Sequence, residues 1–396
     1  MKRRDFLKIS GLTGSTLLVP GFLKAFEGQL AKFTGKRLVI VQLSGGNDGL
    51  NTLIPFTNDN YYKLRPKLGI TQDKVLKIND TAGFNPSMDG FRKLYDEGLM
   101  SIFNAVGYPN PDRSHFRSMD IWHTASNADE YLNTGWIGRL LDANCPGSEN
   151  AWHALEVDDT LSLAMKGLQK SGFAVKDPQR LQQITRDPFL AEIEKNGMAS
   201  ESTGELSFLY KTLAQTTSSA NYIAEKAGIK TSTTVYPQHE LGNSLKQIAE
   251  LISAGMESGV YYTSISGFDT HVRQAESQNR LLGVVSDSIY AFTKDLREAN
   301  ALNDTLVVVF SEFGRRVKQN ASNGTDHGTA NNLYVIGGSL KKPGMQNGLV
   351  SLTDLDDGDL KHTLDFRKVY ATLLNKGIGF NHEQVLGRKF DLLDFI

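Results

Sequence analysis

Five apolar residues, Leu306–Phe310, run without a break into Ser311 and Glu312 in the stretch LNDTLVVVFSEFGRR. An apolar run this short, rich in β-branched residues and bounded by polar ones, is a strand covered on both faces. Leu38–Leu43 in KRLVIVQLSGGNDGLN reads the same way, as do LMSIFNAVGY (99–108), GVYYTSISGFDTH (259–271) and NNLYVIGG (331–338). Between two of these runs, residues 272–301 place Leu281, Val284, Val285, Ser288, Phe292 and Leu296 at helical spacing, which predicts an amphipathic crossover helix. Strands joined by such helices predict an α/β fold, a mostly parallel central sheet flanked by helices on both faces. Residues 145–258 are richer in polar helix formers and are expected to form a helical insertion or cap within one α/β domain spanning 36–396.

The 43 basic and 44 acidic residues leave a formal net charge of -1, so nucleic acid is not expected as a partner. A single cysteine, Cys145, excludes an intrachain disulfide framework and a multi-cysteine zinc site. Basic residues gather at the start, where MKRRDFLKIS leads into the short, moderately apolar GLTGSTLLVPGF. That is the layout of an export signal rather than of a membrane span. Arg3 and Arg4 open the hexamer RRDFLK, which matches the receptor-read twin-arginine pattern; the plain alternative is a frayed basic helix. Residues 1–35 are therefore read as signal and linker, and the protein as exported to the periplasm or cell envelope.

In open α/β sheets, functional loops gather at the carboxyl ends of the strands. Ionisable residues follow four of the runs: Asp48, the pair Asp269 and His271, Glu312, and His327 shortly beyond. Carboxylate oxygens offset a cation's charge and neutral imidazoles donate lone pairs, so a divalent metal suits this set. For any one of them the plain alternative is an N-cap or an Asx-turn. The stretch NPDRSHFRSMDIWHTA reads as a helix start. Ser114 is then either a nucleophile at a helix N-terminus, with Arg113 or Arg117 clamping anionic oxygens and His115 as ligand or acid, or simply an N-cap beside solvated arginines. Arg315 and Asn51 are further expected substrate contacts, whereas His123 and His153, beside tryptophans, are expected to pack.

The motifs GGNDGLN, DRSHF, GFDTH, SEFGR and GTDHG, in this order between Gly45 and Gly328, resemble the DUF1501 family of exported bacterial proteins. That family is similar in fold to the alkaline phosphatase and sulfatase superfamily. The resemblance implies that Asp269 and His271 match the phosphatase Asp-x-x-x-His loop with shorter spacing. TLVVVFSEF then matches the following strand and DHGTANNLYVIGG the last loop, so His327 rather than Asp326 is the implied ligand. Glu312-Phe313 stands where a phosphatase has Asp-His, so a two-metal centre is not implied. Asp269, His271 and His327 would hold one ion, zinc first, with manganese, calcium or magnesium as alternatives. Asp48 and Glu312 would hold a second, weaker ion or orient water. The implied activity is metal-dependent hydrolysis of a phosphate or sulfate ester, acting on an anionic ester or glycan with Ser114 as nucleophile. The alternative is an inactive envelope protein on the same fold that binds a glycan or a protein partner.

Overall fold

Val39, Val41 and Leu43 pack on one side of the first strand, β1 (Arg37–Leu43), while Leu38 and Ile40 pack on the other, and both sets are buried. This is the period of two expected of a strand held between two helical layers. The computed structural model describes residues 35–144, 153–190, 192 and 205–396; the twin-arginine segment and Cys145 lie outside them.

The other strands of the central sheet are β2 (Met100–Gly107), β3 (Ala154–Glu156), β4 (Phe173–Ala174), β5 (Val260–Ile265), β6 (Thr305–Phe310), β7 (Asn331–Ile336), β8 (Gly344–Met345) and β9 (Leu364–Asp365). Their order is β8-β2-β7-β6-β1-β5-β3-β4, with β9 also paired to β2. In the centre, Val39 of β1 lies between Tyr261 of β5 and Val307 of β6, both in parallel register. Only β7 runs against its neighbours, pairing antiparallel with both β2 and β6. The fold is therefore the mostly parallel α/β sheet that the apolar runs predict.

Helices α1 (Asp89–Asp96), α4 (Glu240–Ser253) and α5 (Gln274–Glu298) cover one face with Phe91, Leu245, Leu282, Val285 and Phe292. Helices α2 (His115–Thr124), α3 (Trp136–Asn144) and α6 (Phe366–Thr372) cover the other with Ile121, Trp122, Ile137, Leu140 and Tyr370. Within residues 145–258, helices Pro178–Thr185, Glu205–Ala227 and α4 are joined by β3 and β4, which extend the central sheet. Strands of three and two residues are too short to show a period in sequence, so the contribution of this segment to the sheet emerges only from pairing. Among the described residues, no helix is long and apolar enough to cross a membrane.

The direction of β7 sets up the site. Parallel strands bring their carboxyl ends to one edge of the sheet, and an antiparallel neighbour brings its amino end to that same edge. The loop preceding β7 therefore lies beside the loops that follow β1, β5 and β6. It is stitched to the loop after β6 by Arg316 N–H to Asp326 O (3.0 Å), Gly328 N–H to Gly314 O (2.9 Å) and Gly314 N–H to Thr329 O (2.8 Å).

Candidate metal centre

After β1 the chain turns at Gly45 and Gly46, with φ of +116° and +68°. A Cβ on Gly45 would lie 2.4 Å from the backbone nitrogen of Asp269, and one on Gly46 would lie 2.3 Å from the ring of Phe313. Only glycine combines these dihedrals with so close an approach. The loops close around the guanidinium of Arg315, whose side chain is fully buried. Its Nε donates to Gly46 O (2.6 Å), Nη1 to Thr325 O (3.0 Å), and Nη2 to Phe268 O (3.0 Å), Gly45 O and Asp269 Oδ1 (2.8 Å).

Three imidazoles surround the Asp269 carboxylate, and each is anchored through Nδ1. His115, the first residue of α2, bonds Glu312 Oε1 at 2.8 Å; His327 bonds Arg113 O at 2.9 Å; His271 reaches Asp326 Oδ1 at 3.3 Å. A carbonyl or carboxylate oxygen accepts, so each Nδ1 donates to its partner, and in the tautomer that carries the hydrogen there each ring turns an Nε2 lone pair inward. From Asp269 Oδ1 the three Nε2 atoms lie at 2.9 Å (His271), 3.1 Å (His327) and 3.5 Å (His115), and the Nε2 atoms of His271 and His327 are 3.0 Å apart. The buried His115 Nε2 has no hydrogen-bond partner.

Electron-pair donors this close together repel unless a cation lies among them. For a tetrahedral ion with bonds of ~2.0–2.1 Å, ligand atoms stand roughly 3.3 Å apart, close to the 2.9–3.5 Å separations from Asp269 Oδ1 found here. His115, Asp269 and His327 each offer a ligand atom within 4.8 Å of the other two, a set that fits one divalent ion, and His271 adds a donor beside Asp269 and His327. The outer partners, carboxylate or carbonyl oxygens on every Nδ1, are those that orient metal-ligating histidines. Burial opposes ionisation of Asp269, but the Arg315 guanidinium, which donates to Oδ1 and brings positive charge beside it, holds its carboxyl well below the usual carboxylate range. The Glu312 hydrogen bond raises the pKa of His115 against the cost of burial.

A family model described as "Protein of unknown function (DUF1501)" matches residues 35–393. The chain belongs to the DUF1501 family. No curated protein matches the sequence. Among solved structures, a protein in the alkaline phosphatase superfamily from Vibrio parahaemolyticus is similar at 12% identity and a TM-score of 0.42, over 89% of this chain and 69% of the other. The C-terminal periplasmic domain of EcEptC from Escherichia coli, in complex with Zn, is similar at 10% identity and a TM-score of 0.39, over 77% and 73%. The phosphonate monoester hydrolase SpPMH from Silicibacter pomeroyi is similar at 9% identity and a TM-score of 0.38, over 78% and 69%. Likenesses this distant do not decide what the DUF1501 chain does.

Of the residues that the sequence singles out as metal ligands, Asp269, His271 and His327 come together, and His115 joins them. Glu312 is drawn inward instead: Oε1 accepts from His115 Nδ1 and Gly45 N–H (both 2.8 Å), and Oε2 faces the Ser311 hydroxyl at 3.1 Å. It supports His115 rather than reaching the cluster. Asp48 is not at the cluster either. Its Oδ2 pairs with Arg65 Nη1 at 2.5 Å and accepts from Gln274 Nε2, because a buried carboxylate is stabilised by a buried guanidinium. Phe313 packs its ring 4.8 Å from His115 and 4.9 Å from His327.

The expected anion clamps are also redirected. Arg117 donates to the carbonyls of Asn127, Ala128 and Glu130 and stacks on Tyr131 at 3.9 Å. Arg113 is paired with Asp359 and Asp357, and Arg316 with the same two residues. Arg315 spends its donors on the loops described above. Asn51 accepts from Tyr61 Oη and Arg65 Nη1, both at 2.9 Å, and donates to Leu68 O. A guanidinium attracts buried carbonyls and carboxylates as readily as it attracts a substrate. Arg273, which the sequence reading passes over, is exposed and has φ +48°; its backbone N–H donates to Ser322 O at 3.0 Å, and its side chain makes no hydrogen bond or ion pair among the described residues. Its place two residues beyond His271, in GFDTHVR, is the signal that could have found it. Ser114 is the N-cap of α2, but its side chain makes no capping bond and is exposed; its N–H donates to Asp112 Oδ1 at 2.6 Å. His123 packs as expected, bonded to Gln42 Oε1 and Tyr262 Oη, and burial pushes it down to about 4.

Proposed function

We propose that this DUF1501 protein is an exported hydrolase of phosphate or sulfate esters that holds one divalent ion, zinc first, through Asp269, His271, His327 and His115. The observation that carries the reading is the convergence of three Nδ1-anchored imidazoles on Asp269 Oδ1. The side chains of Asp269 and His271 are 49% and 40% exposed, so the cluster opens to solvent and a substrate oxygen can approach it. A site with purely structural work is ordinarily closed. When bound, a divalent ion supplies positive charge for the oxygens of the reacting group.

The chain's own residues supply the rest. Ser114 presents a hydroxyl free of side-chain capping, and its position is fixed on either side by the Asp112 bond and by the anchored His115. Arg273, two residues beyond His271 and with a guanidinium unpaired among the described residues, is the candidate contact for an anionic oxygen. His115, His271 and His327 keep their inward lone pairs because their other nitrogens are tied off.

A second reading, an inactive envelope protein that binds a glycan or a protein partner without cleaving it, draws on the commitment of Arg113, Arg117, Arg315 and Arg316 to internal partners. The experiment measures metal content after dialysis in the wild type, His271→Ala and His327→Ala, with an ester screen on the wild type and Ser114→Ala. Near-stoichiometric metal lost in both histidine variants, together with turnover lost but metal kept in Ser114→Ala, supports the hydrolase. Metal retained with no turnover of phosphate, phosphonate or sulfate esters favours the binding protein. A wild type that takes up neither zinc nor manganese refutes the hydrolase and leaves the binding protein. Export by the twin-arginine route predicts that changing Arg3 and Arg4 together to lysine keeps the protein in the cytoplasm.

A further inference from the structure

Phe313, whose ring packs on His115 and His327, also walls a cavity of about 270 Å³ that none of the cluster's four donors lines. Tyr108, Pro111 and Leu360 continue its apolar wall. Two polar side chains in it lack partners. Trp122 is 3% exposed, yet its Nε1–H meets no acceptor among the described residues. His362 is half-buried and makes no hydrogen bond among the described residues, and burial lowers its pKa, so the ring is neutral at pH 7. A buried donor left unsatisfied costs free energy, which points to an acceptor supplied from outside.

The charges narrow the choice. Glu312, Asp112 and Asp356 line the cavity against one cation, Lys361, whose ammonium is held by Asp354. An anion would meet a surplus of carboxylates, and a hydrocarbon would leave the indole N–H unmet. We propose that this cavity binds a neutral hydroxylated ring, a hexose unit. Ring oxygens accept from Trp122, hydroxyls donate to the carboxylates and to His362, and C–H faces pack on the apolar wall. This site requires neither the ion nor the esterase reading, and it places a sugar one aromatic ring away from the imidazole cluster.

The test uses the chain's three tryptophans, which give separate indole N–H resonances in a nitrogen-15 spectrum, with Trp122→Phe identifying one of them. Glucose, galactose and N-acetylglucosamine are titrated into the full protein, beside glucuronate and glucose 6-phosphate. The expected result is a saturable shift of the Trp122 resonance with at least one neutral sugar, weakened about tenfold or more by a charged group on the same ring. Ala330→Met, which fills the cavity, abolishes the shift while the other indole signals stay in place; Leu360→Phe serves if that variant does not fold. No shift with any neutral sugar, a preference for the anionic sugars, or undiminished binding in the filled variant overturns the assignment. Because metal content and ester turnover are not read, the outcome is separate from that of the hydrolase.

Discussion

Replacing Glu312 with alanine strips the acceptor from two buried donors at once, His115 Nδ1–H and Gly45 N–H, each 2.8 Å from Oε1. Glu312 itself is 1% exposed, so water does not readily take its place. Loss of an outer-shell partner to a ligating histidine costs about 10–100-fold in metal affinity, which is about 1.4–2.7 kcal/mol. Each orphaned donor adds about 1–3 kcal/mol of lost stability that is present even without metal. Glu312→Gln keeps an acceptor oxygen and can turn its amide toward Ser311, so its affinity loss is at the lower end, about tenfold or less. Competition against a chromophoric zinc chelator gives the affinities, and urea unfolding in excess chelator gives the metal-free stability. The expected order of affinity is wild type, Glu312→Gln, Glu312→Ala. A folded Glu312→Ala protein that binds zinc as tightly as the wild type would refute the claim that Glu312 holds His115 toward the cluster.

Asp48→Asn breaks a pair whose side chains are 1% and 0% exposed. It is expected to cost about 3–5 kcal/mol of stability with metal stoichiometry unchanged; calorimetry beside elemental analysis checks this, and lost metal at an unaltered Tm contradicts it. Glu156, at the end of β3, is pushed by burial from 4.5 up to about 7. A raised folded pKa means that its contribution is fully present below about pH 4.5 and is lost as pH rises through about 7, at most ~3 kcal/mol in all. Wild-type stability in urea should therefore fall between about pH 5 and pH 8, and Glu156→Gln should flatten that slope; equal slopes in the two proteins contradict the assignment.

The local pattern alone determined the strands and the long crossover helix. Leu38–Leu43 and Leu306–Phe310 are apolar on both faces, and only a strand between two layers buries both, as β1 and β6 do. Residue chemistry alone also gathered Asp48, Asp269, His271, Glu312 and His327 as one candidate set, because ionisable residues at strand ends stand out against apolar strands, and the family resemblance narrowed it to Asp269, His271 and His327. What sequence did not carry was pairing at long range. The antiparallel course of β7 brings His327 to the carboxyl edge from the amino end of its strand, and that strand is seated between β6 and β2, the second of which lies more than two hundred residues earlier, as Tyr334 opposite Ile102 shows. A similar distance separates His115 from Glu312, so the tether that turns His115 inward has no local signature. The arginines illustrate the limit most plainly. Arg315 and Arg273 look alike in sequence, yet one is enclosed by carbonyls of three loops and the other stands free, since a guanidinium's role is set by the acceptors that the fold brings to it.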